Sequence, residues 1–308
     1  LVIGHEMFGR VVETGNNVKK VKKGDFALFM VRRPCSHCKP CHNRRSDLCS
    51  TGDYTERGIK GLDGFQAEYV VDKEEYLICA PNEISDIGVL TEPTSVVEKA
   101  INESLLIQSS RLPGTDISKW LVGKKALIAG IGPIGLLAAF VLKLKGAELF
   151  GLDIVDENSA RPSILKEIGG TYINGQNTNA ENIDTHYGKM DFILEATGIA
   201  KLELQLMDAL ALNGIYVLTG IPSGDRPVCI LGSTLMRQMV LMNHIMLGSV
   251  NASYDHYNDA VNDLVKIKQR WPQTINKIIT HRVPYKDFAS VLSGHSPEEI
   301  KAVVVWSS

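Results

Sequence analysis

Four cysteines crowd into fifteen positions of this 308-residue chain: Cys35, Cys38 and Cys41 at three-residue intervals, then Cys49. Short C-x-x-C turns bring neighbouring sulfurs to the separation a tetrahedral zinc ion needs, with Zn–S bonds of about 2.3 Å. Four thiolates close the coordination shell, so the chemistry on offer is a structural metal site with no open position. Ordinary buried cysteines or a redox pair are the alternative reading. His37 and His42 interleave with the run and are expected to be exposed bystanders, while Cys79 and Cys229 stand alone in apolar surroundings. A tight cluster in a chain otherwise poor in thiols fits metal binding in a reducing cytosol better than a secreted disulfide framework, so the expected localisation is cytoplasmic.

A second constellation is Gly130-Ile-Gly132-Pro133-Ile134-Gly135, which follows the apolar run Lys125–Ala129 and opens a helical pattern over Ile134–Lys145. Glycines there allow a tight turn, close approach of backbone to a pyrophosphate, and close packing of helix on strand. Free amides and the dipole at the helix start favour negative charge. Asp153, 21 residues beyond Gly132 at the end of the next strand, is placed to accept hydrogen bonds from an adenosine ribose. A purely structural glycine turn is the competing reading. Gly4-His5-Glu6, Glu56 and Glu92 form a third, weaker signal, and spacing alone leaves them as a satisfied histidine, solvated charge, or a helix N-terminal acid.

These groups need elements to hold them. Residues 1 to about 90 carry short β-branched runs at Leu1–Ile3, Arg10–Glu13, Asp25–Val31 and Gln66–Val71, as in a barrel-like β domain. From about Lys119 strands and helices alternate: strands at Lys125–Ala129, Glu148–Asp153, Asp191–Glu195 and Gly214–Thr219, helices at Ile134–Lys145, Pro162–Ile168 and Lys201–Leu212. That alternation implies a parallel sheet covered on both faces. Thr91–Leu106 reads as a long joining helix with Glu98, Lys99, Asn102 and Glu103 on its wetter side. An amphipathic helix at His256–Gln269 and a last strand at Ala302–Trp306 complete the chain.

The formal net charge of −2 and the absence of a basic stripe argue against a nucleic-acid partner, and with it against a zinc-ribbon binder; no apolar stretch reaches the roughly 18 residues needed to span a bilayer. Leu1–Gly15 reads as mid-domain strand sequence without a signal-peptide pattern, so an upstream segment is expected.

Taken together the motifs resemble the zinc-dependent medium-chain dehydrogenases, and most closely their glucose dehydrogenase branch. The resemblance rests on Gly4-His5-Glu6, on Val31-Arg-Arg-Pro34 leading into the four-cysteine lobe, and on Ser50-Thr-Gly-Asp-Tyr-Thr-Glu-Arg-Gly-Ile59. Gly64-Phe65, Glu68-Tyr69, Leu90-Thr-Glu-Pro-Thr-Ser-Val-Val-Glu-Lys-Ala100 and Gly248-Ser-Val-Asn251 extend it over essentially the whole chain. It implies an α/β protein with a GroES-like β-barrel catalytic domain over residues 1–110, a Rossmann doubly wound parallel sheet over 111–250, and a segment 251–308 returning to the catalytic domain. It also implies a catalytic zinc on His5, Glu6 and Glu92, in the cleft between domains, beside the structural zinc on the cysteines. The family's further cysteine ligand would fall before Leu1.

By the same resemblance Glu56 binds a sugar hydroxyl, Glu92 touches the substrate as well as the zinc, and Asn251 lies near nicotinamide and substrate. The dinucleotide contacts expected are Gly130, Gly132, Pro133, Ile134, Gly135, Asp153, Thr197, Gly220 and Asn251. The implied reaction moves a hydride from C1 of glucose or a related aldose to NAD(P), giving the lactone in a homo-oligomer, dimer or tetramer. The branch often ends the second strand with Asn or Gly and paired arginines that grip the 2′-phosphate of NADP. Here the stretch reads Leu152-Asp153-Ile154-Val155-Asp156, and a carboxylate there favours NAD over NADP. Polyol, threonine or simple alcohol oxidation, or a non-catalytic nucleotide-binding regulator, are the other readings.

Overall fold

The computed structural model describes residues 2–225, 227–293, 296 and 298–306. The chain folds as two compact units, Leu1–Lys99 with Asn251–Ser308 and Ala100–Val250, and the first boundary falls inside the long helix Thr91–Arg111.

The unit Ala100–Val250 is built on a six-stranded parallel sheet. Its strand order is Ile245–Gly248, Leu210–Leu218, Met190–Glu195, Lys125–Ala129, Glu148–Asp153 and Thr171–Asn174. Central strands of such a sheet are covered on both faces and read as continuous apolar runs. Ala126, Leu127, Ile128 and Ala129 are accordingly buried without alternation, as are Phe192, Ile193 and Leu194. The helix Pro133–Leu144 buries eight consecutive residues from Gly135 to Leu142, the pattern of a helix enclosed on all sides.

In the other unit the strands are short. Gly9–Arg10, Phe26–Phe29 and Leu77–Ala80 form one sheet, Arg32–Arg33, Thr55–Arg57 and Gly61–Leu62 a second, and Ile279–Pro284 pairs with Lys301–Val305 in a third. Helix Tyr254–Arg270 starts at Ser253, whose side chain and backbone bond reciprocally with His256.

Several expectations need correction. Ile3 and its described neighbour Val2 are not in a strand, because their carbonyls accept the Gln66 and Gly64 amides in a loop crossing; Leu1 lies outside the described residues. Gln66–Val71 is irregular for the same reason. The helix expected over Lys201–Leu212 ends at Gln205, passes through one 3-10 turn at Leu206–Ala209, and Leu210 already begins a strand. Apolar Leu210 faces the sheet interior, where tertiary packing overrides a helical pattern. Glu98 and Lys99 are buried and not on a wet face, since Lys99 Nζ pairs with Asp47 at 3.0 Å. Cys79 and Cys229 are exposed thiols. Arg161 lies in the first turn of helix Ala160–Glu167.

Candidate active site

The Gly4-His5-Glu6 segment is fixed by an unusually close crossing of chains. Gly4 has φ +89°, and a Cβ on Gly58 or Gly64 would lie 2.4 Å or 2.3 Å from the Gly4 carbonyl oxygen. Only glycines permit that approach. The Phe65 amide donates to Gly4 O at 2.8 Å and locks the crossing.

His5 and Glu6 thereby meet Glu92, which stands in the first turn of the helix Thr91–Arg111, where Pro93 is tolerated. One donor atom from each of the three lies within 4.8 Å of the others. Lys301 Nζ, at the head of the strand Lys301–Val305, forms an ion pair with Glu6 Oε2. The Glu92 carboxyl is pushed up to about 8: burial is the main cause, Glu6 and Glu56 add to it, and Lys301 works against it. A buried carboxyl crowded by like charge favours a cation among its neighbours, and an imidazole with two carboxylates suits zinc. The donor set therefore fits a metal ion. Buried Tyr257 stands behind Glu92, its hydroxyl accepting the Val31 amide at 3.3 Å.

Glu56 is buried on the strand Thr55–Arg57 and is the cross-strand partner of Arg32. Its Oε1 accepts from Arg32 Nε at 2.9 Å and from Asn251 Nδ2 at 2.6 Å, so the structure brings Glu56 and Asn251 together. Asn251 has φ +63°, a conformation that asparagine tolerates better than most residues.

The cysteine lobe gathers Cys35, Cys38, Cys41 and Cys49 so that their sulfurs all lie within 4.8 Å of one another, with Cys38 and Cys49 at 3.9 Å. Sulfurs at the corners of a zinc tetrahedron are about 3.8 Å apart. All four are free thiols. Burial drives the Cys41 thiol up to about 12, whereas the Thr51 hydroxyl and nearby amides bring Cys49 down to about 6. A buried thiol that is costly to ionise alone, set among three others, fits a metal that would hold it as thiolate. His37 and His42 are exposed, and the His37 ring faces Asp53 at 3.3 Å.

In the second unit the glycine turn has the geometry a dinucleotide needs. A Cβ on Gly135 would lie 1.9 Å from Gly130 O, so this residue lets the helix pack on the strand, while a Cβ on Gly132 would meet nothing within 4 Å. The open space at Gly132 lies where the helix begins at Pro133, with Ile134 beside it. Asp153 ties the turn to the next strand: Oδ2 accepts the Ile131 amide at 2.9 Å and Oδ1 the Ile154 amide at 2.7 Å. Thr197 faces Gly130, whose Cβ would approach the threonine methyl at 2.8 Å. Buried Glu195 holds that turn by accepting the Thr197 and Gly198 amides at 2.5 and 3.1 Å, and a Cβ on Gly220 would collide with Gly198 N at 2.3 Å.

Residues 1–82 match the family described as alcohol dehydrogenase GroES-like domain, and residues 85–306 match glucose dehydrogenase C-terminus. The chain belongs to the zinc-dependent medium-chain glucose dehydrogenases. Among its relatives, glucose 1-dehydrogenase of Methanocella arvoryzae is 34% identical over 99% of this chain and 82% of its own length. Glucose 1-dehydrogenase 2 of Vulcanisaeta moutnovskia is 35% identical with the same coverage. The solved glucose dehydrogenase of Haloferax mediterranei, in complex with NADP, Zn and gluconolactone, superposes with a TM-score of 0.88 at 31% identity, covering all of this chain and 84% of that one. Escherichia coli L-idonate 5-dehydrogenase, at 21% identity and a TM-score of 0.79, shares the fold.

The sequence motifs mark the residues that the fold gathers into the two clusters, but not the groups packed around them. Lys301, Arg32, Tyr257 and the Asp47–Lys99 pair carry no spacing signature. Two adjacent arginines heading the cysteine lobe, and a lysine opening the apolar run Ala302–Val305, are the faint signals they leave.

Proposed function

We propose that the chain oxidises C1 of glucose or a related aldose to the lactone with a nicotinamide cofactor as hydride acceptor. In this reading residues 111–250 form the dinucleotide-binding domain and 1–110 with 251–308 the catalytic domain. The carrying observation is the convergence of His5, Glu6 and Glu92 beside Glu56, in a chain of this family. Zinc bound by His5, Glu6 and Glu92 supplies Lewis acidity toward the substrate hydroxyl, which eases its deprotonation near neutral pH. Glu56 accepts a hydrogen bond from a second sugar hydroxyl and Asn251 steadies Glu56. Lys301 offsets the charge of Glu6. The cysteine lobe holds a second, structural zinc, since four thiolates leave no position for substrate.

His5→Ala is expected to lose one metal equivalent and to abolish turnover while dinucleotide binding persists. Cys38→Ser is expected instead to lower thermal stability. Metal analysis, thermal melts and assays of the two variants check both roles, and full activity in His5→Ala would remove the catalytic assignment.

For the cofactor, Asp153 favours NAD. Its carboxylate accepts from ribose hydroxyls and repels a 2′-phosphate, worth about one to a few kcal/mol, or roughly tenfold to a few hundredfold in preference. The Haloferax relative was solved with NADP, so a preference for NAD would set this chain apart from it. Asp153→Asn is expected to narrow the NAD:NADP ratio of kcat/KM. A wild-type preference for NADP would show that some other basic residue, with Arg161 in the first turn of the adjacent helix as a candidate, reaches the phosphate. The protein is expected to work as a dimer or tetramer in the cytoplasm; no helix among the described residues is long and apolar enough to cross a membrane.

A further inference from the structure

We infer that Arg32 is a positioning residue that joins the cysteine lobe to sugar recognition by presenting one chosen oxygen of Glu56 to the substrate. The inference rests on the reading of Glu56 as a sugar-binding residue.

Arg32 is buried and held in three directions. Its Nε donates to Glu56 Oε1 at 2.9 Å, one terminal nitrogen donates to the Asp47 carbonyl oxygen at 3.0 Å, and its guanidinium lies 3.8 Å from the centre of the Tyr54 ring. Asp47 is itself immobilised two residues before Cys49. Its buried carboxylate takes ion pairs from Arg45 at 2.8 Å and from Lys99 at 3.0 Å, and Lys99 belongs to the helix that starts at Thr91 and carries Glu92. A planar guanidinium anchored at both edges and stacked on one face has one orientation, which a lysine ammonium cannot reproduce.

The consequence for Glu56 follows from which oxygen is used. Arg32 and Asn251 both donate to Oε1. Among the described residues no donor reaches Oε2 of the same buried carboxylate, which leaves it to accept from a sugar hydroxyl with the charge assistance that makes such bonds the stronger kind. A site that hydrogen-bonds a substrate hydroxyl in this way discriminates strongly against analogues lacking it. Arg32 therefore acts first on affinity and selectivity for the sugar.

The test is a double-mutant cycle of Arg32→Lys and Glu56→Gln, assayed with glucose and its monodeoxy analogues, with metal content and melting temperature recorded for each variant. Arg32→Lys is expected to raise the glucose KM roughly tenfold or more, with a smaller change in kcat. It should lessen discrimination against the deoxy sugar that Glu56 reads, and leave the metal content unchanged. The double variant should be no worse than Glu56→Gln alone, because both changes remove one interaction. An unchanged glucose KM in Arg32→Lys, with a raised one in Glu56→Gln, would overturn the inference and leave the reading of Glu56 standing. An unchanged KM in Glu56→Gln would overturn both. Loss of metal and of kcat in Arg32→Lys would make the residue a structural prop and overturn the positioning role. If Arg32→Lys does not fold, Tyr54→Leu removes the stack, together with the Lys60 contact on the same ring, while leaving the Arg32 hydrogen bonds, and should raise the glucose KM by a smaller factor; no rise there overturns the inference.

Discussion

Glu92 is buried with Glu6 and Glu56 as acidic neighbours, and the proximity of Lys301 offsets them in part. Its carboxyl is pushed up to about 8, against about 4.3 for an ordinary glutamate. The metal-free folded protein therefore holds this proton more tightly than the unfolded chain does. By linkage, the stabilisation from Glu92 is fully present below the unfolded value of about 4.3 and is lost as pH rises through about 8. Chelator-treated protein is expected to unfold at lower urea on the alkaline side of this window than on the acid side. Glu92→Gln should remove most of that difference, and an undiminished slope in the variant would assign it to another group. None of this was legible from the residue types. Glu92 beside a helix start reads as a dipole partner, and its partners lie 86 positions upstream and 209 downstream.

At the scale of elements, the glycine turn at Gly130 could be read from sequence because its chemistry is local: strand, turn and helix follow one another within about twenty residues. The alternation of the parallel sheet was legible for the same reason. What the pattern could not reveal were contacts between distant segments. The crossing of Gly4, Gly58 and Gly64 looks in sequence like three unrelated loop glycines, yet it sets His5 and Glu6 beside the strand of Glu56. Gly64 has no positive φ in its way, so alanine tests the contact alone: its Cβ would lie 2.3 Å from Gly4 O. Gly64→Ala is expected to cost about 1–3 kcal/mol, the range of overpacked sites, and to lower activity as the crossing opens. A melt and an assay decide this; a variant with native stability and native turnover would show that the crossing relaxes freely. The burial of Glu98 and Lys99 escaped the sequence in the same way, because the Asp47 that neutralises Lys99 sits on the cysteine lobe.

For the whole molecule, the site-bearing unit is assembled from both ends of the chain. Asn251, Tyr257 and Lys301 come from the C-terminal segment, and His5, Glu6, Glu56 and Glu92 from the N-terminal one. Trp306 Nε1 also donates to Gln66 Oε1 at 3.1 Å, and Lys268 pairs with Asp86. A chain ending at Val250 is expected to keep the parallel sheet and measurable dinucleotide binding, and to lose glucose binding and metal at the His5 site. Calorimetric titration with each ligand checks the split, and retained glucose binding would show that the first segment suffices.

The pairing of Glu6 with Lys301 spans 295 positions, almost the full length described. A ribosome adding about 5–20 residues per second emits Glu6 some fifteen seconds or more before Lys301 exists. During that interval the nascent first segment carries its acidic groups and thiols without the lysine and the strand that complete the unit, while the sheet of Ala100–Val250 is already whole and free to fold. The unit that carries His5, Glu6 and Glu92 is thus incomplete until Lys301 and its strand have emerged, long after the first segment.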